Sequence, residues 1–379
     1  MYQVKIYHTI SEIEKEYWDK LTENNIFMCY NGLKTFEIIT DDSTSPFYIT
    51  INDGGKIIAA SVCYYGKKND NIKAIDDVIF GRLRNLSKKF SLSPVVICSP
   101  RRGYGTHFLF SKKLNKNETN ELQNRLIDII EENAVKNSSS VCFLNLMDHE
   151  TNLIQILNKR GYYKTMGLPL NYINVKWSSF DKYKELLKKK YPSMKRAVTW
   201  EISKNKRAGV TIKKLDNINS HEERLFDLLE MNYHKYNSDT FLLNRDYFQK
   251  IKNNFGKDSI IYVAIKEEKI IGVMVEFKKD KDAILTSVGI DHNYSKNDFT
   301  YFIMTFYEPI KDAPEYGIER IYAGNGLYKL KARRGFSTAN TYIFYKPHNK
   351  LINYFVKILF SVHYLWMTHK FSFLKTDNR

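Results

Sequence analysis

Apolar residues along this chain keep two rhythms, and the rhythms alternate. Over residues 220–237, Leu225, Leu228, Leu229 and Tyr233 recur at three- and four-residue steps, which predicts a helix with Ser220 as its N-cap. "RDYFQKIKNNF" reads as a second helix. Then the rhythm shortens: "SIIYVAIKE" and "EEKIIGVMVEFKKDKDA" are apolar stretches joined at a charged turn, a β-hairpin pattern. "DAILTSVGI" continues as a strand, and "KNDFTYFIMTFYEPIKDAPEYG" as a helix that Pro309 or Pro314 ends. "IERIYAG" and "TANTYIFYK" are the closing strands.

The first half of the chain has the same order. "SEIEKEYWDKLTENN" reads as a helix capped by Ser11, with Glu14 completing a capping box. "PFYITIND" and "GGKIIAASVCYYGKKND" form a second hairpin pattern, the latter aligning with residues 267–283. "NETNELQNRLIDIIEENAVKN" carries Leu122, Leu126, Ile129 and Ile130 on one helical face. "SVCFLNL" is a strand, and "HETNLIQILNKRGY" a short helix closing on Gly161. A basic-Gly-aromatic phrase follows in each half: Arg160-Gly161-Tyr162 and Arg334-Gly335-Phe336. Two copies of one unit account for this economically. The predicted domains are 1–177 and 178–347, each a mixed β-sheet flanked by helices, an α/β (α+β) architecture. Residues 348–379 lie outside the repeat and predict an amphipathic helix, docked on the protein or lying at a membrane interface.

Composition changes this picture in two ways. The 379 residues carry a net charge of +17, which suits polyanionic partners and equally suits a lysine-rich solubilising surface. Cys29, Cys63, Cys98 and Cys142 are scattered without a C-x-x-C pair, arguing against a disulfide framework or zinc site. The start "MYQVKIYHTISEIEKEYW" lacks the apolar core of a signal peptide or anchor, so a cytoplasmic protein is expected. No metal site, nucleophile triad or dinucleotide fingerprint is predicted.

Four stretches together carry a resemblance. They are "LSPVVICSPRRGYGTHFLF", "SMKRAVTWEISKNKRAGVTIKKL", "LLEMNYHKYNSDTFLLNRDYFQKI" and "YGIERIYAGNGLYKLKARRGF". The set resembles the GNAT acyltransferase fold, doubled as in the FemABX-like proteins and their peptidoglycan-biosynthesis relatives. The resemblance covers roughly residues 1–345. It implies N-acyl transfer, in which an amine attacks an acyl-CoA thioester or an aminoacyl-tRNA ester, with neither tightly bound as a cofactor. It also implies an amine acceptor: a small molecule, a peptide or a cell-wall precursor. Such chemistry needs a hydrogen-bond donor for the developing oxyanion and a base near the amine. GNAT enzymes using acetyl-CoA cradle its pyrophosphate on Arg/Gln-x-x-Gly-x-Gly/Ala. Here Pro100 begins the nearest match, Pro100-Arg101-Arg102-Gly103-Tyr104-Gly105, and "IDHNYSKNDFTYF" in the second copy has no glycine pair. That departure leaves room for a donor carried on tRNA or a carrier protein.

Candidate residues follow, with the reaction site expected in the second copy. Arg101, Arg102, Gly103 and Gly105 can grip phosphate or form a plain basic turn. Residues 182–214 hold 12 Lys/Arg against Glu185 and Glu201, and Lys195, Arg196, Lys204, Lys206 and Arg207 can bind a polyphosphate or an RNA backbone or form a solvated helix face. Tyr233, His234 and Tyr236 are expected near the acceptor, with His234 as base. Glu276 interrupts an apolar strand, either as a general base or as an outward residue of a half-exposed sheet; Asp291 carries the same ambiguity. Lys331 and Arg334 match the family-like Lys-x-x-Arg-Gly-Phe; Lys331 is expected to stabilise the oxyanion or orient the donor's phosphate, and Arg334 to bind the donor. The reading from another class is a non-catalytic basic module that binds RNA or an anionic surface.

Overall fold

A computed structural model describes residues 2–22, 25–38, 44–66, 79–80, 92–236, 241, 243–349, 352–372 and 374. The chain starts with β1 (Gln3–Tyr7), a 3-10 turn at Ile10–Glu12, and the short helices α1 (Lys15–Asp19) and α2 (Tyr30–Ile38). The capping box forms at Thr9 and Glu12, two residues ahead of the expected Ser11 and Glu14. The hairpin β2 (Ser45–Asp53) and β3 (Lys56–Gly66) follows, then β4 (Val95–Cys98), β5 (Phe108–Phe110) and α3 (Lys116–Lys136). Next come β6 (Ser140–Met147), α4 (Thr151–Lys159), β7 (Tyr163–Met166) and β8 (Leu170–Asn174). The basic stretch folds as α5 (Phe180–Lys190) and α6 (Met194–Arg207), and leads to β9 (Thr211–Lys214), α7 (Glu222–Tyr236) and α8 (Tyr247–Phe255). The second hairpin is β10 (Ser259–Lys266) and β11 (Lys269–Lys279), with β12 (Asp282–Ile290) beside it. A helical run then combines α9 (Thr300–Phe302), a π turn (Ile303–Tyr307) and α10 (Glu308–Asp312), so Pro309 lies inside the run and does not end it. The chain continues through β13 (Arg320–Tyr322), α11 (Tyr328–Arg333), β14 (Ser337–Ala339), β15 (Thr341–Lys346) and α12 (Asn353–Lys370).

The repeated basic-Gly-aromatic phrase is a helix stop. After α4, the Gly161 N–H donates to Asn158 O and the Tyr162 N–H to Leu157 O; after α11, Gly335 and Phe336 do the same to Ala332 O and Lys331 O. This is the Schellman arrangement, and both glycines adopt the left-handed conformation it requires, at φ +77 and +88. Tyr162 and Phe336 then bury their rings, the first in the core with Phe143, the second against Phe306.

Strand membership departs from simple tandem order. The chain divides into Met1–Pro169 joined by Ala339–Arg379, and Leu170–Thr338. The first sheet runs β1-β2-β3-β4-β6-β15-β7, with β5 on β3; the second runs β14-β8-β13-β12-β11-β10-β9. Thus β15, from the end of the second repeat, pairs with β6 and β7, while β8, from the end of the first, pairs with β13. The expected boundaries at 177 and 347 differ from these units because the two repeats exchange their final strands. Residues 339–374 therefore belong to the first unit, where α12 buries Val356 and Phe360 beside Ile343 and Tyr345.

In the first unit α3 packs Leu122, Leu126, Ile127 and Ile130 onto Phe47, Ile49, Val96 and Phe143. Within this core His107 sits fully buried, its Nδ1 2.7 Å from Glu150 Oε1 and its Nε2 2.8 Å from Leu144 O. Two acceptors call for two N–H donors, so the ring is an imidazolium. Burial alone would lower its pKa, but the charge and hydrogen bond of Glu150 outweigh it and raise the pKa to about 9.

In the second unit the β10–β11–β12 sheet is covered on both faces. Phe248, Phe255 and Phe277 fill one side; Met304, Phe306, Tyr307 and Ile310 meet Tyr262, Met274 and Leu285 on the other. Gly289 on β12 lies where a Cβ would stand 2.5 Å from the Leu228 carbonyl carbon and 2.7 Å from Leu229 N. Helix α7 therefore rests backbone-to-backbone on this strand.

Two measurements check these contacts. Gly289→Ala places a methyl group against main chain that has no rotamer to yield, so an overpacking cost of about 1–3 kcal/mol is expected in urea unfolding. An unchanged midpoint would show that α7 is not held so closely. For His107, the folded pKa lies above the ordinary 6.5, so its stabilisation is complete below pH 6.5, declines as pH rises and is lost above about 9. The denaturation midpoint should fall across that window, and His107→Gln should flatten the fall.

Candidate functional site

The site is assembled around a gap in the second sheet. β12 and β13 run parallel but pair only from Asp282–Ile284 to Arg320–Tyr322. β12 continues to Ile290, whereas β13 gives way to the turn Ala323-Gly324-Asn325-Gly326, in which both glycines are left-handed. Along Leu285–Ile290, then, β12 has no ladder partner on that side among the described residues. Asn171 of β8 fixes the turn: its Nδ2 donates to Gly324 O at 2.7 Å and to Gly326 O at 3.1 Å.

Lys331 of α11 reaches into this turn. Only 3% exposed, it donates to Ala323 O at 2.6 Å and Asn325 O at 3.2 Å. An ammonium has three N–H groups, so these two carbonyls leave one donor unused. Burial lowers its pKa to about 8. Among the described residues it forms no ion pair. A buried cation without a carboxylate is unusual, because desolvation penalises it in full unless something compensates.

Arg334, one turn on, is different. Its guanidinium meets Glu201 of α6 in a two-oxygen contact at 2.8 and 2.9 Å, both side chains being almost fully buried. Its Nε donates to the Tyr307 hydroxyl at 2.9 Å, Tyr307 itself donates to Glu201, and the ring of Phe302 lies 3.9 Å from the guanidinium carbon. The Tyr183 hydroxyl closes the cluster on Arg334 O at 2.9 Å. The expectation that Arg334 binds the donor is therefore corrected: its charge is neutralised internally. Glu201 is the residue that sequence reasoning passed over. Its signal was position, since with Met194, Val198 and Asn205 it lies on the buried face of an otherwise basic helix.

Helix α7 forms the other wall. Asn232 Nδ2 donates to Val288 O at 3.0 Å on the open part of β12, and Tyr247 of α8 bonds Ser287. The C-terminal turn of α7 carries Tyr233, packed 5.2 Å from the Phe241 ring, with His234 and Tyr236 exposed. The phenol of Tyr236 and the charge of Arg334 both act on Tyr301, whose pKa burial raises to about 12. Tyr236, Tyr301, Arg334 and Lys331 thus belong to one region.

Other candidates lie elsewhere. Glu276 is buried at 2% exposure, so it is not an outward residue of a half-exposed sheet. Burial raises its pKa to about 7, opposed by the Tyr262 hydrogen bond and the charge of Lys278. It belongs with Tyr262, which donates to Asp312 at 2.8 Å, and Lys214, which pairs with Asp312 at 2.9 Å. Asp312 is ten residues beyond Phe302, about 15 Å along a helix. Glu276 also stands in register opposite Leu285, the first residue of the open part of β12, and its Oε2 has no hydrogen-bond partner among the described residues. Asp291 is also buried and forms an ion pair with Arg224 at 2.7 Å while accepting from Asn293 N, a turn-holding role. Lys195 pairs with Glu185 and, with Arg196, sits away from the buried face of α6.

Neither phosphate-loop candidate leads directly into a helix head clear of side-chain acceptors. In the first unit, residues 100–105 lead into β5, and α3 begins only at Lys116 under an Asn115 cap. The Gly105 N–H donates to Asn145 O, and Arg101 donates to Thr44 O at 3.0 Å with its guanidinium carbon 4.9 Å from the Tyr64 ring centroid. In the second unit, the head of the 300–312 helical run is taken by Asp298. Its Oδ1 accepts from Thr300 N, Thr300 Oγ1 and Ser295 Oγ at 3.1, 2.8 and 2.7 Å. The protein's own carboxylate occupies the position where an anion would bind.

Comparison with known proteins fits this geometry. A family model described as FemAB-like, peptidoglycan biosynthesis/recognition, matches residues 9–359. No curated protein matches the chain. Among solved structures, FemX is similar at TM-score 0.54 and 10% identity, covering 92% of this chain and 98% of its own. The C-terminal domain of a putative lysylphosphatidylglycerol synthetase from Agrobacterium fabrum gives TM-score 0.57 and 11% identity, with 93% and 97% covered. A tandem GNAT protein from the clavulanic acid biosynthesis pathway gives TM-score 0.51 and 9% identity, with 92% and 99% covered. These likenesses establish the doubled GNAT-like fold.

The buried pair yields a test. Glu201→Gln leaves the Arg334 guanidinium desolvated without a counter-charge, and a loss of about 3–5 kcal/mol in unfolding free energy is expected. A loss near zero would mean the cluster is open to water.

Proposed function

We propose that this chain, which belongs to the FemAB-like family, transfers an acyl or aminoacyl group from an activated donor to the amine of a peptidoglycan precursor. The observation that carries the reading is Lys331, a buried ammonium with a donor to spare among the described residues, in the turn where β13 leaves β12. In the proposed reaction the acceptor amine adds to the donor carbonyl and the carbonyl oxygen becomes an oxyanion. The C–O or C–S bond to the donor then breaks, and the amine proton ends on the leaving oxygen or sulfur. Lys331 supplies a preorganised cation to the oxyanion, an interaction that is strong where water is excluded. Along Leu285–Ile290 the side of β12 without a ladder partner among the described residues offers its remaining N–H and C=O groups to an extended donor or acceptor segment. Tyr233 and Tyr236 line the approach on α7, and His234 is exposed beside them to receive a proton.

The head of the helical run bears on the donor. With the Asp298 carboxylate seated on the Thr300 amide, a pyrophosphate at this helix head would meet a like charge, which supports a donor carried on tRNA or a carrier protein over acyl-CoA. Charged tRNA and acetyl-CoA, each offered with a precursor peptide bearing a free amine, separate the two. Transfer from tRNA, with none from acetyl-CoA, is expected; the reverse would overturn the donor assignment, and no transfer from either or from an acyl carrier-protein thioester would overturn the transferase reading.

The pH profile supplies a second test. Lys331 is charged below about pH 8, so kcat should fall as pH rises through that value. A kcat that is flat from pH 7 to pH 9 would remove Lys331 from the chemical step.

A further inference from the structure

Helix α12 has two apolar faces, and the described residues cover only one. Val356, Phe360, His363 and Met367 recur at four-, three- and four-residue steps and are buried. That face is pinned: Phe360 stacks on Tyr345 at 5.5 Å, and His363 Nδ1 lies 2.7 Å from Thr165 Oγ1. The opposite face displays Tyr354, Ile358, Val362, Leu365 and Trp366, exposed by 75, 46, 60, 68 and 45%. Scattered apolar residues are ordinary on a surface, but a continuous row of large ones on one helix face marks an interaction site.

Charge selects the occupant. From Lys346 to Thr376 the sequence has five lysines and no Asp or Glu. On a helical projection Lys357 and Lys370 fall on the two margins of the exposed row, and Lys370 Nζ lies 4.5 Å from the Trp366 ring centroid. A second copy of the chain would bring the same lysines together across a two-fold axis, and like charges disfavour that pairing. An anionic bilayer offers the complement: acyl chains for the row, headgroup phosphates for the flanking ammonium groups, and an interfacial layer suited to Trp366 and Tyr354. No described helix is long and apolar enough to cross a membrane, so contact is with the surface.

We propose that the exposed face of α12 seats the protein on anionic lipid bilayers, with the apolar row entering the headgroup boundary and the lysines at its margins engaging lipid phosphates.

Flotation of the full chain with vesicles tests this, using phosphatidylcholine alone and with about a quarter phosphatidylglycerol. The wild type should float with the anionic vesicles at least about ten-fold more than with the neutral ones, and salt should release it. Tryptophan emission should shift to the blue on binding, and Trp366→Phe should remove that shift. Val362→Glu with Leu365→Glu changes exposed positions only, so the fold should persist by circular dichroism while flotation drops about ten-fold or more. Equal flotation of variant and wild type, or none by the wild type, would overturn the proposal. So would a wild-type dimer in solution that this double substitution converts to monomer, because the face would then be a self-interface.

Discussion

The buried contact between Glu201 and Arg334 holds the second unit's working parts in register. Glu201 comes from α6, Arg334 ends α11, and Tyr307 lies in the π turn of the 300–312 run, so one cluster joins three helices. An ion pair this deep is weak evidence of net stability, since desolvation offsets most of the attraction. Its value is geometric. Nη2 on Glu201 and Nε on Tyr307 together hold the Arg334 guanidinium at two points, which steadies the last turn of α11 and with it Lys331 one turn earlier. Glycine 335 then releases the chain in the left-handed conformation, and Phe336 anchors the exit.

Lys331 depends on that scaffold. Its ammonium meets two carbonyls and, among the described residues, no carboxylate, so it stays poised rather than neutralised. Asn171 contributes by holding the Gly324 and Gly326 carbonyls, and it reaches the site on a strand exchanged from the first repeat. The exchange thus builds part of the second unit's site from the end of the first repeat.

Much of the architecture was legible in the sequence because it is local. The hairpins, β12 and the helices over 116–136 and 353–370 follow from apolar spacing, and the repeated Arg-Gly-aromatic phrase from the chemistry of a helix stop. What could not be read was long-range. Nothing near Arg334 in sequence announces Glu201, 133 residues earlier, so the sequence alone does not separate a neutralised guanidinium from a phosphate ligand. Strand alternation placed Glu276 on the face of Met274 and Gly272, but the sheet is covered on both faces, so alternation could not separate solvent from core. Similarly, the assignment of β8 and β15 to sheets depends on pairing partners far away in the chain.

The most direct test is product mass. Wild-type protein and Lys331→Met, matched for folding by circular dichroism, are incubated with charged tRNA and an amine-bearing precursor peptide. The account predicts that the peptide gains one aminoacyl residue with the wild type, and that the rate falls about 100-fold or more in the variant while KM changes little. Equal rates for the two proteins would contradict it.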